Sequence, residues 1–535
     1  MAILTILFLA MSLFGKAPIP AAKADSPHAD KVESRLNTLA ARAAYSGALV
    51  PVIIQFEKNS LNSERESIIQ TAGGKSKNHY SDLAMSAADL NPASLRALAS
   101  HPRVRRISYD YKVRAHLDNT VKAIGADLVW FNNGKAQFTG RGVTIAVIDS
   151  GIASNKDIDS NVLPTEVAFG QKMANDQYGH GTHIAGIIAG NGFGATKRVY
   201  GDHNRGVAPG ASVLNLRVLD GDGAGLTSNV LEALDWCLRN KDLYNIRIIN
   251  LSLGHPVYES YKTDPLCQMV ERCVASGIVV VTAAGNYGKD DAGNHVYGGI
   301  NSPGNDPAVI TVGAVNTHDT PVRSDDTIAT YSSCGPTAID GLIKPDIVAP
   351  GNKVVSTANP KTALYQDYPN LRVIRSNSKA SNEYLVLSGT SMSTPVVSGT
   401  VALMLEANPS LTPNAVKAIL AYTAQRMADP NILEQGNGYL NAEGAVRLAR
   451  AISPNASRLP SGTQWVTNPG AINSSSVVAG EAILWGDAIL WGDTILWGDA
   501  ILWGDAILWG DAILWGDAIL WGDRVVDGDA ILWGD

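Results

Sequence analysis

Five apolar runs limit what this chain can fold into: VTIAVID (143–149), SVLNLRVL (212–219), IRIINLSLG (246–254), GIVVVTAAG (277–285) and VITVGAV (309–315). A strand with one wet face alternates apolar and polar residues. These runs are apolar almost throughout, as strands covered on both faces are. Helical spacing separates several of them, at 181–190, 227–239 and 262–276, and recurs at 391–407 and 412–424. Strand–helix–strand alternation predicts an α/β fold with a parallel β-sheet and helices on both faces. Open sheets of this kind place ligands at the carboxyl ends of their strands. Polar residues at those ends are therefore the candidates for function.

Four short blocks fall at such positions. IAVIDSGI puts Asp149 at the end of a strand, and GHGTHIAG opens a Gly- and Ala-rich helix with His180. SGTSMSTP opens another helix with Ser391 and places Pro395 in its first turn, while VVVTAAGNYG ends a strand at Gly285-Asn286. A Ser hydroxyl is a weak nucleophile near neutral pH and needs an adjacent base. A His can take that proton and later give it to the leaving amine. A buried Asp fixes the imidazole tautomer and stabilises the imidazolium. At a helix N-terminus the Ser391 backbone N–H also points toward developing negative charge, and the Asn286 amide is placed to donate to the same oxyanion.

Taken together and in this order, the blocks resemble the subtilisin-type serine proteases (subtilases) over roughly residues 118–452. The resemblance implies a serine endopeptidase acting through an acyl-enzyme. Asp149 in its D-S-G motif is then the acid, His180 the base and Ser391 in GTSMS the nucleophile, with Asn286 and Ser391 forming the oxyanion hole. His183, one turn beyond His180, is expected to be structural. LSLG (251–254) matches the strand that lines the primary specificity pocket, and GDGAG (221–225) the opposite edge, with Gly223 as the pairing residue. Substrate would add between them as an extended strand. The implied substrate-binding set is Gly223, Ser252, Leu253, Gly254, Ala284 and Gly285. Ser393 stands where the family usually has Ala, and Ile184 where it usually has Val. The chemistry requires no cofactor. Family members often bind calcium, but no carboxylate cluster in the sequence locates a site. Implied partners are protein and peptide substrates and the chain's own propeptide as an intramolecular inhibitor.

The remaining segments give the expected domain plan. AILTILFLAMSLFG (2–15) is apolar and shorter than a bilayer span. With the small-x-small site Ala22-Lys23-Ala24 it reads as a signal peptide over 1–24, although no Lys or Arg precedes it. The expected location is thus secreted or extracellular, with cell-surface association open. A polar spacer occupies 25–47. Residues 48–117 follow a β-α-β-β-α-β pattern that resembles the family's inhibitory propeptide, with Asn91 as a helix N-cap and Pro92 at the first helical position. The catalytic part spans 118–452, and a Ser-, Asn-, Pro- and Gly-rich linker spans 453–481. Four cysteines (Cys237, Cys267, Cys273 and Cys334) lack zinc spacing. Their pairing stays open, with Cys237 placed on an apolar helix stripe as a buried thiol.

Residues 482–535 are nine hexads, eight of them A/T-I-L-W-G-D and one RVVDGD (524–529). The net charge of −7 is concentrated there, in ten Asp against one Arg; the rest is nearly neutral and carries no basic block for nucleic acid. Repeats of this length imply a solenoid or array. A helix would carry a glycine in every hexad at about 1 kcal/mol each. Short AILW strands with GD turns fit better, stacked as a β-solenoid or ordered only on binding. Binding of a cell-surface polymer, self-association and the absence of any specific ligand all remain open for the tail. A second reading from another class keeps the fold and drops the chemistry: a surface-binding protein with an inactive enzyme-like domain.

Overall fold

The computed structural model describes residues 31–32, 49–80, 84–109, 117–132, 135–192, 205–290, 293–373, 384–455 and 475–484, together with short strands of the tail between 489 and 533. The expected signal peptide, most of the spacer and residues 456–474 of the expected linker lie outside the described residues. Two compact units divide the chain, Met1–Val113 and Arg114–Asp535.

The first unit runs β1 (Val50–Phe56), α1 (Asn62–Thr71), β2 (Lys75–Tyr80), β3 (Met85–Leu90), α2 (Ser94–Ala99) and β4 (Val104–Tyr109). Its four strands pair antiparallel in the order β2-β3-β1-β4. Alternate residues of β1 (Val50, Val52, Ile54 and Phe56) are buried against Ile69, Leu95 and Leu98 of the helices. The regular part of α2 begins at Ser94, later than the expected start at Pro92. Asn91 Oδ1 accepts the Ala93 N–H at 3.0 Å, so its side chain closes a turn ahead of the helix.

The second unit opens with α3 (Leu117–Ile124) and is built on an eight-stranded sheet. Its strands and helices, in chain order, are β5 (Thr144–Asp149), β6 (Val162–Ala168), α4 (His180–Ala189), β7 (Ser212–Arg217), α5 (Thr227–Tyr244), β8 (Ile246–Leu251), α6 (Pro265–Ala275), β9 (Val279–Ala283), β10 (Ile310–Asn316), β11 (Thr327–Ile328) and β12 (Ile347–Pro350). The order across the sheet is β11-β10-β9-β8-β5-β7-β6, and β12 also pairs with β10. Each pair is parallel except β10–β11. The five apolar runs thus became five neighbouring parallel strands.

Both faces of that sheet are covered. Ile145, Val147, Ile248, Val279 and Val281 pack on one face with α4 and with α7 (Thr390–Ala407), α8 (Pro413–Thr423) and α9 (Ala442–Ala451). Ala146, Ile148, Leu214, Leu216, Ile249 and Val280 face α5 and α6 on the other. Neighbours along one strand go to opposite cores, which is why the sequence shows no alternation. A separate antiparallel pair joins β13 (Val354–Thr357) to β14 (Tyr384–Leu387) beside α4. All four cysteines are buried free thiols, so none is bridged.

The expected linker needs correction at its C-terminal end. Residues 475–484 form an antiparallel hairpin of β15 (Ser475–Val478) and β16 (Glu481–Leu484). Val478 and Ile483 are fully buried in the main core. Glu481 accepts the Arg323 and Ser324 N–H groups at 3.0 Å each. The first hexad therefore begins inside the folded unit. The polar composition upstream masked the two apolar residues that dock the hairpin.

Beyond it the tail strands are β17 (Ile489–Trp491), β18 (Thr494–Trp497), β19 (Ala500–Trp503), β20 (Ala506–Trp509), β21 (Ala512–Trp515), β22 (Ala518–Trp521) and β23 (Ile531–Trp533). Alternate hexads join alternate sheets, in the orders β17-β19-β21 and β18-β20-β22-β23. Every pair is parallel and in register, Trp491 opposite Trp503 and Trp497 opposite Trp509. RVVDGD lies outside the described residues. No described helix is long and apolar enough to cross a membrane.

Candidate active site

The strand order reverses at β5, which lies between β8 and β7, and the carboxyl ends of these strands are where a ligand belongs. Asp149 is the last residue of β5; Ser252 follows β8, Ala284–Asn286 follow β9 and Asp220–Gly223 follow β7. The helices α4 and α7 bring His180 and Ser391 in their first turns. All the expected catalytic residues thus stand at one end of one sheet.

Asp149 is completely buried and both its oxygens face the His180 ring, with Nδ1 at 2.8 Å from Oδ1 and 3.0 Å from Oδ2. Oδ1 also accepts the Ser150 N–H at 2.7 Å. The pair assigns a proton to Nδ1 and leaves Nε2 of the neutral ring as an acceptor. Burial disfavours the imidazolium, but the charge and hydrogen bond of Asp149 outweigh it and raise the His180 pKa above its ordinary value. Gly181 makes the approach of α4 to β5 feasible, since a Cβ there would stand 2.2 Å from the Gly151 carbonyl oxygen. The glycine of HGTH and the glycine of DSG are in this sense one feature.

Asp176 was not expected from the sequence. It is buried, and its Oδ1 accepts Ser150 Oγ at 2.9 Å, Tyr178 N at 3.0 Å and Gly179 N at 2.7 Å; Oδ2 accepts Thr182 N at 3.0 Å. Burial raises its pKa against these opposing bonds. Ser150 Oγ in turn accepts the Gly181 N–H at 2.9 Å. This side chain ties the end of β5 to the start of α4, the two places that hold Asp149 and His180. An Asp four residues before a helix-opening His was the available signal.

His183 lies within the same helix and is fully buried, with Nε2 at 3.2 Å from the Leu385 carbonyl oxygen on β14. Burial pushes its pKa down to about 3, so it is neutral and ties α4 to the β13–β14 pair.

Ser391 shares two bonds with Ser252. Its Oγ donates to the Ser252 carbonyl oxygen at 3.0 Å, and Ser252 Oγ donates to the Ser391 carbonyl oxygen at 2.9 Å. Behind them, Ser398 Oγ donates to Asn250 Oδ1 at 2.8 Å and Asn250 Nδ2 to Ser252 Oγ at 3.0 Å. The Ser391 hydroxyl therefore donates to a backbone carbonyl. The Ser252 side chain thus holds the first turn of α7, while its backbone belongs to the edge expected to pair with substrate.

Asn286 is exposed, and its Oδ1 accepts the Thr390 N–H at 3.0 Å and Thr390 Oγ1 at 3.1 Å. A backbone N–H can bond only to the amide oxygen, so Oδ1 is fixed inward and Nδ2 is left as the donor. The N–H of Ser391 is one of the helix-terminal donors that no preceding carbonyl can satisfy. The two donors belong to adjoining segments at one helix end, an arrangement that suits a tetrahedral oxyanion.

The proposed substrate edges divide into two kinds. Leu253 and Gly254 lie at the cleft rim, half-buried and exposed. Ala284 spends its N–H on Val312 and its carbonyl on Asn301, and Gly285 donates to Thr390 Oγ1 and accepts from Ser333 N. These two can shape a wall but cannot pair with a strand. Gly223 has φ +80°, and a Cβ there would stand 2.5 Å from the Tyr178 ring. Its N–H is turned to the Asp220 carbonyl oxygen at 3.3 Å, which leaves its own carbonyl for pairing. Among the described residues no three His, Cys, Asp or Glu side chains come together as a metal site.

Residues 140–443 match the subtilase family (Peptidase_S8). The chain is 35% identical over 412 residues to serine protease AprX of Bacillus subtilis (strain 168), covering 74% of this chain and 87% of that protein. It is 29% identical over 389 residues to subtilisin E of the same strain, covering 72% and 87%. With subtilisin DY of Bacillus licheniformis the identity is 32% over 324 residues, covering 60% of this chain and 98% of the relative.

Proposed function

Because the chain belongs to the subtilase family of serine endopeptidases, we propose that it hydrolyses peptide bonds through a triad of Asp149, His180 and Ser391. The observation that carries this reading is the two-oxygen contact of buried Asp149 with His180 Nδ1, at the strand ends where Ser391 and Asn286 also stand. His180 Nε2 takes the Ser391 proton as Oγ leaves the Ser252 carbonyl and attacks the substrate carbonyl carbon. Charge forming on the substrate oxygen is met by Asn286 Nδ2 and the Ser391 N–H. His180 then protonates the leaving amine, which departs from the acyl-enzyme. Water repeats the sequence with His180 as base, and the acid product leaves. No metal or cofactor enters these steps.

The chain is also read as a secreted zymogen. The apolar segment 2–15 before Ala22-Lys23-Ala24 supports export. The separate β-α-β-β-α-β unit ending at Val113 supports a propeptide, released by cleavage between about 114 and 120. The catalytic domain then begins near α3. The hexads are read as a β-solenoid for anchoring, binding or assembly, supported by the in-register parallel pairing of alternate repeats. Expression of the full chain with Ser391→Ala tests the triad and the zymogen together. The variant is expected to keep its first unit and to leave a protein substrate intact. Processing at the same junction by the purified variant would overturn both.

A further inference from the structure

We propose that Arg217, a buried cation at the end of β7, is a positioning residue for the reaction: it keeps Asp176 ionised and thereby holds the place and the charge of His180. The inference rests on the reading of His180 as general base and concerns a residue outside the expected site.

Arg217 is the last residue of β7 and the register partner of Asp149 on β5. It is 2% exposed. Its Nε donates to the Leu219 carbonyl oxygen at 2.9 Å. Nη1 donates to the carbonyl oxygens of Asn175 at 2.7 Å and Met173 at 3.2 Å, and Nη2 to Gln177 Oε1 at 3.0 Å. All four acceptors are uncharged. A buried guanidinium without an anion is costly, so a counter-charge is required close by. Asp176 supplies it, in the middle of the segment that Arg217 grips.

Asp176 has the opposite need. Its carboxylate is buried and accepts hydroxyl and backbone N–H bonds, but no cation contacts it among the described residues. The segment 173–179 joins the two charges. Its carbonyl groups at 173 and 175 face the cation and its N–H groups at 178 and 179 face the anion, so its peptide dipoles favour both at once. The other titratable groups facing Asp176 are Tyr178 on its own segment and His180 on α4. Asp220 faces Arg217 from the turn after β7, but it spends Oδ1 on the Asp222 and Ala224 N–H groups, at 2.9 and 3.0 Å.

The network reaches the chemistry through Ser150, whose Oγ donates to Asp176 Oδ1 at 2.9 Å and whose N–H donates to Asp149 Oδ1 at 2.7 Å. One residue thus spans both carboxylates. The gripped segment also presses on the DSG turn. A Cβ on Gly151, at φ +105°, would stand 2.5 Å from the Ala174 carbonyl oxygen and 2.9 Å from Asp176 N. The negative charge of Asp176 favours the His180 imidazolium, as that of Asp149 does. Burial already pushes the Asp176 pKa up, so without Arg217 this carboxylate protonates. It then loses that charge and can no longer accept all of its bonds.

The test is the pH profile of kcat/KM, measured on the full-length chain after maturation with one peptide–coumarin substrate. Arg217→Met is expected to lower the midpoint of the acid limb by about half a pH unit, the effect of removing one unit charge across several ångströms of protein. It should lower kcat about tenfold with KM little changed, as a slight misplacement of the base does. Arg217→Lys, which keeps the cation, should restore the midpoint. Asp176→Asn should move it as far as Arg217→Met does, and the double substitution no further, since both remove the same charge. A loss of packing alone lowers activity without moving the midpoint. An unmoved midpoint in folded Arg217→Met, or shifts that add in the double variant, overturns the role of Arg217. Should Arg217→Met fail to fold, the other two single variants decide. Arg217→Lys at the unsubstituted midpoint with Asp176→Asn below it supports the proposal, and any other pair of profiles overturns it. Absence of fluorophosphonate labelling at Ser391 in the unsubstituted protein overturns the triad itself and is read separately.

Discussion

At the scale of single residues, His180 is held between burial, which lowers its pKa, and Asp149, which raises it further than burial can lower it. Only the unprotonated ring can accept the Ser391 proton, so kcat/KM should rise with pH as His180 loses its proton. Because that pKa is raised, the midpoint of the acid limb should lie above 6.5, the ordinary imidazole value. A pH profile with its midpoint below that value would contradict the Asp149–His180 pairing. Asn286→Ala should leave KM nearly unchanged and lower turnover by about 10²–10³, a magnitude established for this donor in the subtilase family itself. Steady-state kinetics on a good peptide substrate checks it. The residues just discussed were legible because each sits in a short glycine-bearing block that forces a close approach, as Gly181 does against Gly151. Asp176 and the paired bonds of Ser252 with Ser391 were not. Their partners come from other segments, as with Ser252 and Ser391, 139 positions apart.

At the scale of elements, α7 is the centre of the site and of the core at once. It delivers Ser391 and stacks on Thr390 the bonds that orient Asn286, while Val396, Val397, Val401 and Leu405 are fully or almost fully buried. The hairpin β15–β16 has the opposite history: nothing in its sequence separates it from the linker, yet it closes the core. Ending the chain after Gly480 removes β16, with buried Ile483 and the Glu481 bonds to Arg323 and Ser324. That truncation should destabilise the second unit by about 2–5 kcal/mol, the range for deleting a large buried side chain. Ending it after Asp487 should cost far less. Thermal unfolding of the two truncations, compared with the full chain, measures the difference. Equal Tm values would show that the hairpin contributes nothing to the core. Catalysis is expected to survive the truncation after Asp487, because the proposed triad ends at Ser391.

At the scale of the whole molecule, the sheet explains why the fold could be read and the tail only in outline. A strand buried on both faces carries its environment in its own composition, so the five apolar runs announced five adjacent strands. The edge strands β6 and β12 and the β13–β14 pair lack that signature, being partly polar or very short. In the tail a strict repeat implied a repeated strand, and the two alternating parallel ladders follow from it. A repeat says which residues stack and gives no information on what they meet. The most direct measurement of the chemistry is tandem mass spectrometry of the matured protein after reaction with a fluorophosphonate. A single adduct is expected on the peptide containing Ser391, lost when His180 is replaced by alanine. Labelling elsewhere with Ser391 unmodified, or no labelling of a folded and matured protein, would contradict it.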